Sequence, residues 1–106
     1  MEIHNLSPTP VDGVVNHIIE RGSISVPTDL GVDFDYIVHA LALSSDRYCQ
    51  DFDLTEKMNV SFTKNVLHFC ALQKSLKKFV HFSSIVVYDN ANEPPVKETD
   101  ALRPYY

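Results

Sequence analysis

Two almost uninterrupted apolar segments, residues 35–43 and 79–88, constrain the fold of this chain more than any other feature. A strand covered on both faces has this pattern, because neither row of its side chains meets solvent. A connection of roughly thirty residues separates the two segments, which is long enough for a crossover helix. The sequence therefore predicts a βαβ unit, a parallel sheet and an α/β fold with helices on both faces.

The connection carries the signals of one long helix. Asp53 is the predicted N-cap, and Glu56 stands where its side chain can return to the cap. Apolar residues at helical spacing define a face predicted to be buried: Leu54, Met58, Phe62, Val66, Phe69 and Cys70. Three lysines are predicted to lie at the carboxyl end of this helix, where cations suit its dipole: Lys74, Lys77 and Lys78.

The first thirty or so residues give weaker signals. Residues 5–10 contain Asn, Ser and two prolines and are predicted to form a turn or loop. Apolar residues at 14, 15, 18 and 19 predict a short helix that ends at Arg21 and Gly22. Residues 23–26 alternate like a short strand, which Pro27 stops.

The segment after the second apolar run is polar and rich in proline, and we predict a long loop over residues 89–104. It follows the carboxyl end of a strand, which is the side where open α/β sheets bind ligands. A parallel sheet needs cover on both faces, yet the chain offers one long helix and one short one. The sheet is therefore predicted to be incomplete.

Composition excludes several functions. The chain has 106 residues, and its only glycines are Gly13, Gly22 and Gly31, so it contains no glycine-rich phosphate loop. Nine Lys and Arg against fourteen Asp and Glu give a net charge of −5, which argues against nucleic acid as a partner. Cys49 and Cys70 are far apart in sequence and indicate a reducing compartment. Without a signal peptide or a membrane-length apolar run, we expect a cytosolic protein.

Four segments, in order, resemble motifs of the extended short-chain dehydrogenase/reductases, the NAD-dependent epimerase/dehydratase group that acts on nucleotide sugars. Residues 35–42 resemble the strand that ends in His-Leu-Ala-Ala, and residues 59–67 resemble the Asn-Val-x-Gly-Thr-x-Asn-Val-Leu helix. Residues 79–88 resemble the strand that ends in Ser-Ser-x-x-Val-Tyr. Residues 95–98 and 103–106 resemble the loop before the Tyr-x-x-x-Lys motif.

The resemblance implies a partial Rossmann-type, doubly wound parallel sheet that lacks the first glycine-rich βα unit and the C-terminal substrate domain. Residues 1–106 would form an incomplete NAD(P)-binding domain, with its βαβ core at about 35–88 and an active-site loop at about 89–106. The implied catalytic residues are Ser84 and a tyrosine, which is Tyr105, Tyr106 or a residue just past Tyr106. The implied cofactor-binding residues, for NAD or NADP, are His4, Asn5, Ser23, Ile24, Ala40, Leu41, Ala42, Asn59 and Ser83.

The sequence also departs from the family pattern. His4 stands where the family has the Asp that holds the adenosine ribose, so NAD and NADP both stay open. Ser23 replaces the Asp of a Gly-Asp-Ile adenine contact. The glycine loop would lie before Met1, and the catalytic Lys after Tyr106. We therefore expect no turnover and little or no dinucleotide affinity from the isolated chain.

Other readings remain open at this point. The parent activity implied by the resemblance is a nucleotide-sugar epimerase or dehydratase, with a hydroxysteroid dehydrogenase or dihydroflavonol reductase relative as the alternative. A truncated, non-catalytic protein that binds a partner through its incomplete sheet is the other alternative, and a homodimer is also open. Ser84 could simply cap a strand, and Asn59 could be a polar core residue that also supports the site. His39 and His81 are expected to be hydrogen-bonded core histidines rather than metal ligands, since no third ligand stands at the right spacing.

Overall fold

The computed structural model of this chain describes residues 1–43, 50–84, 87–88 and 95–102. Its four strands are parallel to their partners, and the helical segments lie between the third and the fourth. In chain order the elements are β1 (His4–Ser7), β2 (Val15–Ile18), β3 (Tyr36–His39), α1 (Phe52–Glu56), a π-helical segment (Lys57–Ser61), α2 (Phe62–Ala71) and β4 (Lys78–His81). The described residues thus form a small α/β structure, which confirms the predicted class.

The predicted βαβ unit is present. β3 and β4 pair in parallel, with Tyr36 beside Lys78 and His39 beside His81. Both strands are shorter than the apolar runs that predicted them. Residues 85–86 of the second run lie outside the described residues.

A second parallel pair stands in the region where a turn or loop over residues 5–10 and a short helix were predicted. The helix prediction is wrong, and the loop prediction is wrong for residues 5–7 and holds for residues 8–10. β1 and β2 pair with His4 beside Val15 and Ser7 beside Ile18. The carbonyl groups of Ile3 and Ser7 accept from the amides of Val15 and Ile19 at 3.0 and 3.2 Å. Valine and isoleucine suit a strand better than a helix, because branching at Cβ restricts χ1. Pairing with β1 therefore outweighs the helical spacing.

Residues 23–26 form no strand, which corrects another prediction. The carbonyl group of Ile24 accepts from the side-chain amide of Asn65 on α2 at 2.7 Å. The Ser23 hydroxyl accepts from the amide of Ser25 at 3.1 Å. Because local and helix partners take these groups, this segment lies against α2 instead of joining a ladder.

The long helix is confirmed, but both of its predicted ends are wrong. Asp51 is the N-cap, and its carboxylate accepts from the amide of Leu54 at 3.0 Å, so Asp53 lies in the first turn instead. At the other end, the amides of Leu72 and Gln73 bond to the carbonyl groups of Phe69 and Cys70, both at 3.1 Å. This tightened turn ends α2 at Ala71, so the three lysines lie beyond the helix.

The core forms where α2 packs on β3 and β4. Phe62, Val66 and Cys70 are buried together, with Phe62 only 2 % exposed, and Ile37 and Phe79 pack against them from the two strands. Five of the six residues of the predicted helix face are buried. The opposite face of the strands is open, since Tyr36 and Val38 are 63 % and 62 % exposed. The prediction that these strands are covered on both faces is therefore wrong for the described residues.

Within the described residues the strands make two separate two-stranded sheets, β1 with β2 and β3 with β4. None of the helices found there is long and apolar enough to cross a membrane.

Candidate functional site

A cleft of about 470 Å³ lies between the two parallel pairs. All four residues of β1 line one side, and residues 36–41, which include all of β3, line the other. Phe34, just before β3, meets the ring of His4 edge-on at 5.0 Å between ring centres, and it also contacts Phe69 of α2 at 6.0 Å. The amino ends of β1 and β3 therefore lie side by side, with α2 beneath them.

A chain of polar contacts occupies the amino end of β1. His4 Nε2 lies 2.6 Å from Glu2 Oε1, and His4 Nδ1 lies 2.8 Å from His17 Nε2. The two imidazole rings are stacked, with centres 5.1 Å apart. If His4 is neutral, its Nε2–H donates to the carboxylate, and its Nδ1 accepts from His17. Both ring nitrogens of His4 are thus engaged within the protein.

A second set of contacts fixes the segment that follows β3. The side-chain amide of Asn59 grips Leu43 from both sides: its oxygen accepts from the Leu43 amide at 2.7 Å, and its nitrogen donates to the Leu43 carbonyl at 3.2 Å. The hydroxyl of Thr63 donates to the Asn59 carbonyl at 2.8 Å. It therefore accepts from His39 Nε2, which lies 2.9 Å away. The carboxyl end of β3 is in this way held to the helix by side chains.

His39 is a core histidine, as predicted. Its side chain is 5 % exposed, and its ring lies between Phe62 and Phe79. Burial, and secondarily the neighbouring His81, lower the pKa of His39 below its ordinary value. His81 stacks on His39 at 5.2 Å but is itself exposed, so its predicted place in the core is wrong. No group of three potential metal ligands occurs in the part of the chain that the structure describes.

Comparison with known families identifies the unit that contains β3, the helix and β4. The family model described as "NAD dependent epimerase/dehydratase family" matches residues 25–106, which is 82 of the 106 residues. The chain belongs to this family. No curated protein and no solved structure matches the chain. β1 and β2 precede the matched segment, so family roles for His4, Asn5, Ser23 and Ile24 rest on the motif resemblance alone.

Four of the predicted cofactor-binding residues of this family member line the cleft: His4, Asn5, Ala40 and Leu41. The side-chain amide of Asn5 is engaged within the first strand pair and the loop between its strands, since its Nδ2 lies within 3.1 Å of acceptors on Ser7, Thr9 and Asn16. Ala40 and Leu41 stand at the carboxyl end of β3, where the family pattern has backbone along the cofactor. These placements are compatible with the predicted roles, which themselves stay predictions.

The other predicted residues do not line the cleft. Ile24 packs against the core, and Ser23 turns into the loop beside it. Ala42 and Asn59 lie just beyond the cleft, with Asn59 acting on the backbone of Leu43. Ser83 and Ser84 follow β4 and are exposed, so the expected burial of the strand before Ser84 is wrong. Tyr105 and Tyr106 lie outside the described residues.

Sequence reasoning missed several aromatic residues of the cleft, among them His17 and Phe34. His17 was hidden by the predicted helix, although strand pairing of β2 with β1 brings it beside Leu6 and toward His4. Phe34 precedes the apolar run, and its lone position gave no periodic signal. A search for parallel pairing between residues 4–7 and 15–18 would have identified His17 as a neighbour of β1.

Proposed function

We propose that this chain is part of the doubly wound, NAD(P)-binding domain of an oxidoreductase-type epimerase or dehydratase that acts on nucleotide sugars. The observation that carries the proposal is the β3–helix–β4 unit within the family match. Its two strands are parallel and in register, and Asn59 fixes the segment at the carboxyl end of β3. This is the end of a parallel sheet at which ligands bind.

The residues present fit the adenosine part of a dinucleotide and do not fit its pyrophosphate. Ala40 and Leu41 offer a small, uncharged surface at the cleft, whereas the ring nitrogens of His4 are already engaged with Glu2 and His17. No glycine-rich turn joins the end of a strand to the start of a helix in the described residues. The three glycines, all at positive φ, lie at positions 13, 22 and 31. We propose that this chain alone contacts the adenosine part and leaves the pyrophosphate without a cradle.

For the chemistry, we propose that the Ser84 hydroxyl binds the reacting oxygen of the substrate, since a hydroxyl both donates and accepts. Tyr105 or Tyr106 would take the proton, and the nicotinamide, when bound, supplies hydride transfer. A tyrosine near its ordinary pKa of about 10 is a poor base at neutral pH, so a neighbouring cation would have to stabilise the phenolate of the catalytic tyrosine.

Saturation-transfer NMR of the chain with NAD or NADP in excess tests this proposal. We expect transfer to the adenine and ribose protons and little to the nicotinamide protons. Leu41→Asp should reduce the transfer, because it places a carboxylate in the cleft, whereas Val60→Asp, on an exposed part of the π-helical segment, should not. Equal transfer to both ends of the dinucleotide, or none at all, would contradict the proposal.

A further inference from the structure

We propose that His39 and Thr63 are positioning residues for the segment of residues 40–43, and that they act on it through Asn59 while His39 is neutral with its proton on Nε2. The inference rests on the proposed function, since the family resemblance gives this segment its place along the cofactor. Neither side chain has to touch the cofactor for this role, because Asn59 bonds the backbone of Leu43 directly.

The segment is anchored to the helix at both of its ends. Before it, His39 Nε2 lies 2.9 Å from the hydroxyl oxygen of Thr63, and at its far end Asn59 bonds both backbone groups of Leu43. Asn59 and Thr63 are four residues apart, so both contacts start from the same side of the helix. Residues 40 and 41, between the two contacts, line the cleft. The shape of this part of the cleft wall therefore depends on both contacts.

The hydroxyl of Thr63 links the two contacts. It donates to the backbone carbonyl of Asn59, four residues earlier, at 2.8 Å. A hydroxyl has a single proton to donate, so the same group must accept from His39. Only a His39 ring with its proton on Nε2 satisfies this chain. A ring with its proton on Nδ1 alone would compete with the Asn59 carbonyl for the hydroxyl proton.

These contacts lie where the helix changes its hydrogen-bond spacing. The amide of Phe62 bonds to the carbonyl of Lys57, five residues earlier, before α2 continues with ordinary spacing. Short π-helical segments are rare and occur frequently at functional sites. The bond from Thr63 to the Asn59 carbonyl stabilises this irregular turn, from which the Asn59 side chain reaches Leu43.

A second proton on the His39 ring is unfavourable in the folded chain. The ring is buried, with Phe62 of α2 and Phe79 of β4 beside it. Burial, and after it the charge of His81, lower the pKa of His39 below its ordinary value of 6.5. The ring is therefore neutral at pH 7, as the hydrogen-bond chain requires.

The titratable groups on the packed elements differ in where they lie. On β4, the ring of His81 lies 5.2 Å from that of His39, whereas Lys78 belongs to the other face of the sheet because side chains alternate along a strand. On α2, Cys70 is buried in the core beside Phe62. The two other titratable side chains of α2, Lys64 and His68, border a separate hollow.

Acidification is expected to release the segment. A charged imidazole is stabilised by leaving the core for water, and its departure breaks the bond to Thr63. The segment of residues 40–43 then keeps only its contact with Asn59, on a turn that is itself less stable. We expect this change as pH falls below 6.5, the ordinary pKa of histidine.

The first test is hydrogen exchange of the full chain followed by NMR at pH 7.5. Its readout is the protection of the Leu43 amide divided by that of the Phe69 amide within α2, so that a general loss of stability cancels. Thr63→Val removes the hydroxyl and should lower this ratio by about fivefold. Thr63→Ser keeps the hydroxyl and should leave the ratio within about twofold of the original.

The matched control is Cys70→Ala. Cys70 is buried in the same core but takes no part in the hydrogen-bond chain between His39 and Asn59. The substitution should lower the free energy of unfolding without changing the Leu43 ratio. A fall of the ratio in Cys70→Ala as large as in Thr63→Val would overturn the proposal.

The second test follows the same ratio from pH 7.5 to pH 5.0, together with the ring nitrogen signals of His39. In the original chain we expect a proton on Nε2 at pH 7.5 and a fall of the ratio by about fivefold at pH 5.0. His39→Gln retains a side-chain donor that does not titrate, so its ratio should stay constant. His81→Gln removes the neighbouring charge and should move the midpoint to higher pH.

Saturation transfer to the adenine protons of NAD connects the segment to binding. At pH 7.5 the transfer should fall several-fold in Thr63→Val and persist in Thr63→Ser. No transfer from the original chain would contradict the proposed function, whereas the Leu43 ratios decide the positioning role without a ligand. Equal ratios in Thr63→Val and Thr63→Ser would overturn the positioning role. So would a His39 proton on Nδ1 at pH 7.5, or a His39→Gln ratio that falls with pH as the original does.

Discussion

At the scale of single residues, the burial of His39 could be predicted from the sequence, but its hydrogen-bond partner could not. Its place in the core follows from the run around it, and the structure confirms it at 5 % exposure. Its partner was not predictable, because Thr63 is 24 positions away and only the packing of the helix on β3 brings the two together. The histidine is held by a hydrogen bond that a neutral ring can donate.

The lowered pKa of His39 makes the stability of the fold depend on pH. The unfolded chain, with a pKa near the ordinary 6.5, binds a proton more readily than the folded chain does. The contribution of neutral His39 is therefore complete above that value and is lost as pH falls through it. We expect the free energy of unfolding, measured with urea, to fall from pH 7.5 to 5.5 and to fall less in His39→Gln.

The control for this experiment is His68→Gln, since the His68 side chain is exposed on α2. It should retain the pH dependence of the original chain. An identical pH dependence in His39→Gln and the original chain would show that His39 does not set it.

At the scale of elements, two segments with the same helical spacing of apolar residues form different structures, because partners distant in sequence act on them. The long helix was predictable, because five of its apolar residues share a face that one strand pair can cover. β2 was not, because residues 14, 15, 18 and 19 fit a helix by spacing, and only pairing with β1 decides for a strand. Of the candidate site, the carboxyl end of β3 was predictable, and the grip of Asn59 on Leu43 was not.

That grip gives a prediction for the link between helix and strand. Asn59→Ala removes both bonds to Leu43 and leaves a partly buried amide and carbonyl without these partners. We expect the free energy of unfolding to fall by about 1–2 kcal/mol and the Leu43 amide to exchange faster. Asn59→Asp keeps an acceptor for the Leu43 amide but loses the donor to the Leu43 carbonyl. Its free energy of unfolding should therefore fall less than that of Asn59→Ala.

Asn65→Ala is the matched control for Asn59→Ala. Asn65 also lies on the helix, and its side-chain amide donates to a backbone carbonyl outside the helix, that of Ile24, at 2.7 Å. Its loss should affect stability without speeding exchange at Leu43. If both variants speed exchange at Leu43 equally, the two contacts do not act locally.

At the scale of the whole molecule, the two parallel pairs form separate sheets within the described residues, and the family match over residues 25–106 does not reach the first pair. The Cα radius of gyration is 16.0 Å, against about 13 Å for a compact domain of this length. The sequence predicted an incomplete sheet from its shortage of helices. It could not predict where the sheet is open, because the position of a cleft depends on how two separate pairs meet.

Phe34 is one of the residues through which the two halves meet, since it contacts His4 of β1 on one side and Phe69 of α2 on the other. We expect Phe34→Ala to loosen β1 and β2 from the rest while β3, α2 and β4 stay folded. Limited proteolysis should then cut faster between Ser7 and Val15, and the amides of α2 should keep their protection from exchange. Phe82→Ala is the control, because Phe82 is 63 % exposed and lies after β4, away from the contact. Loss of protection throughout α2 in Phe34→Ala would mean instead that the two halves unfold as one cooperative unit, so that the open cleft lies within a single domain.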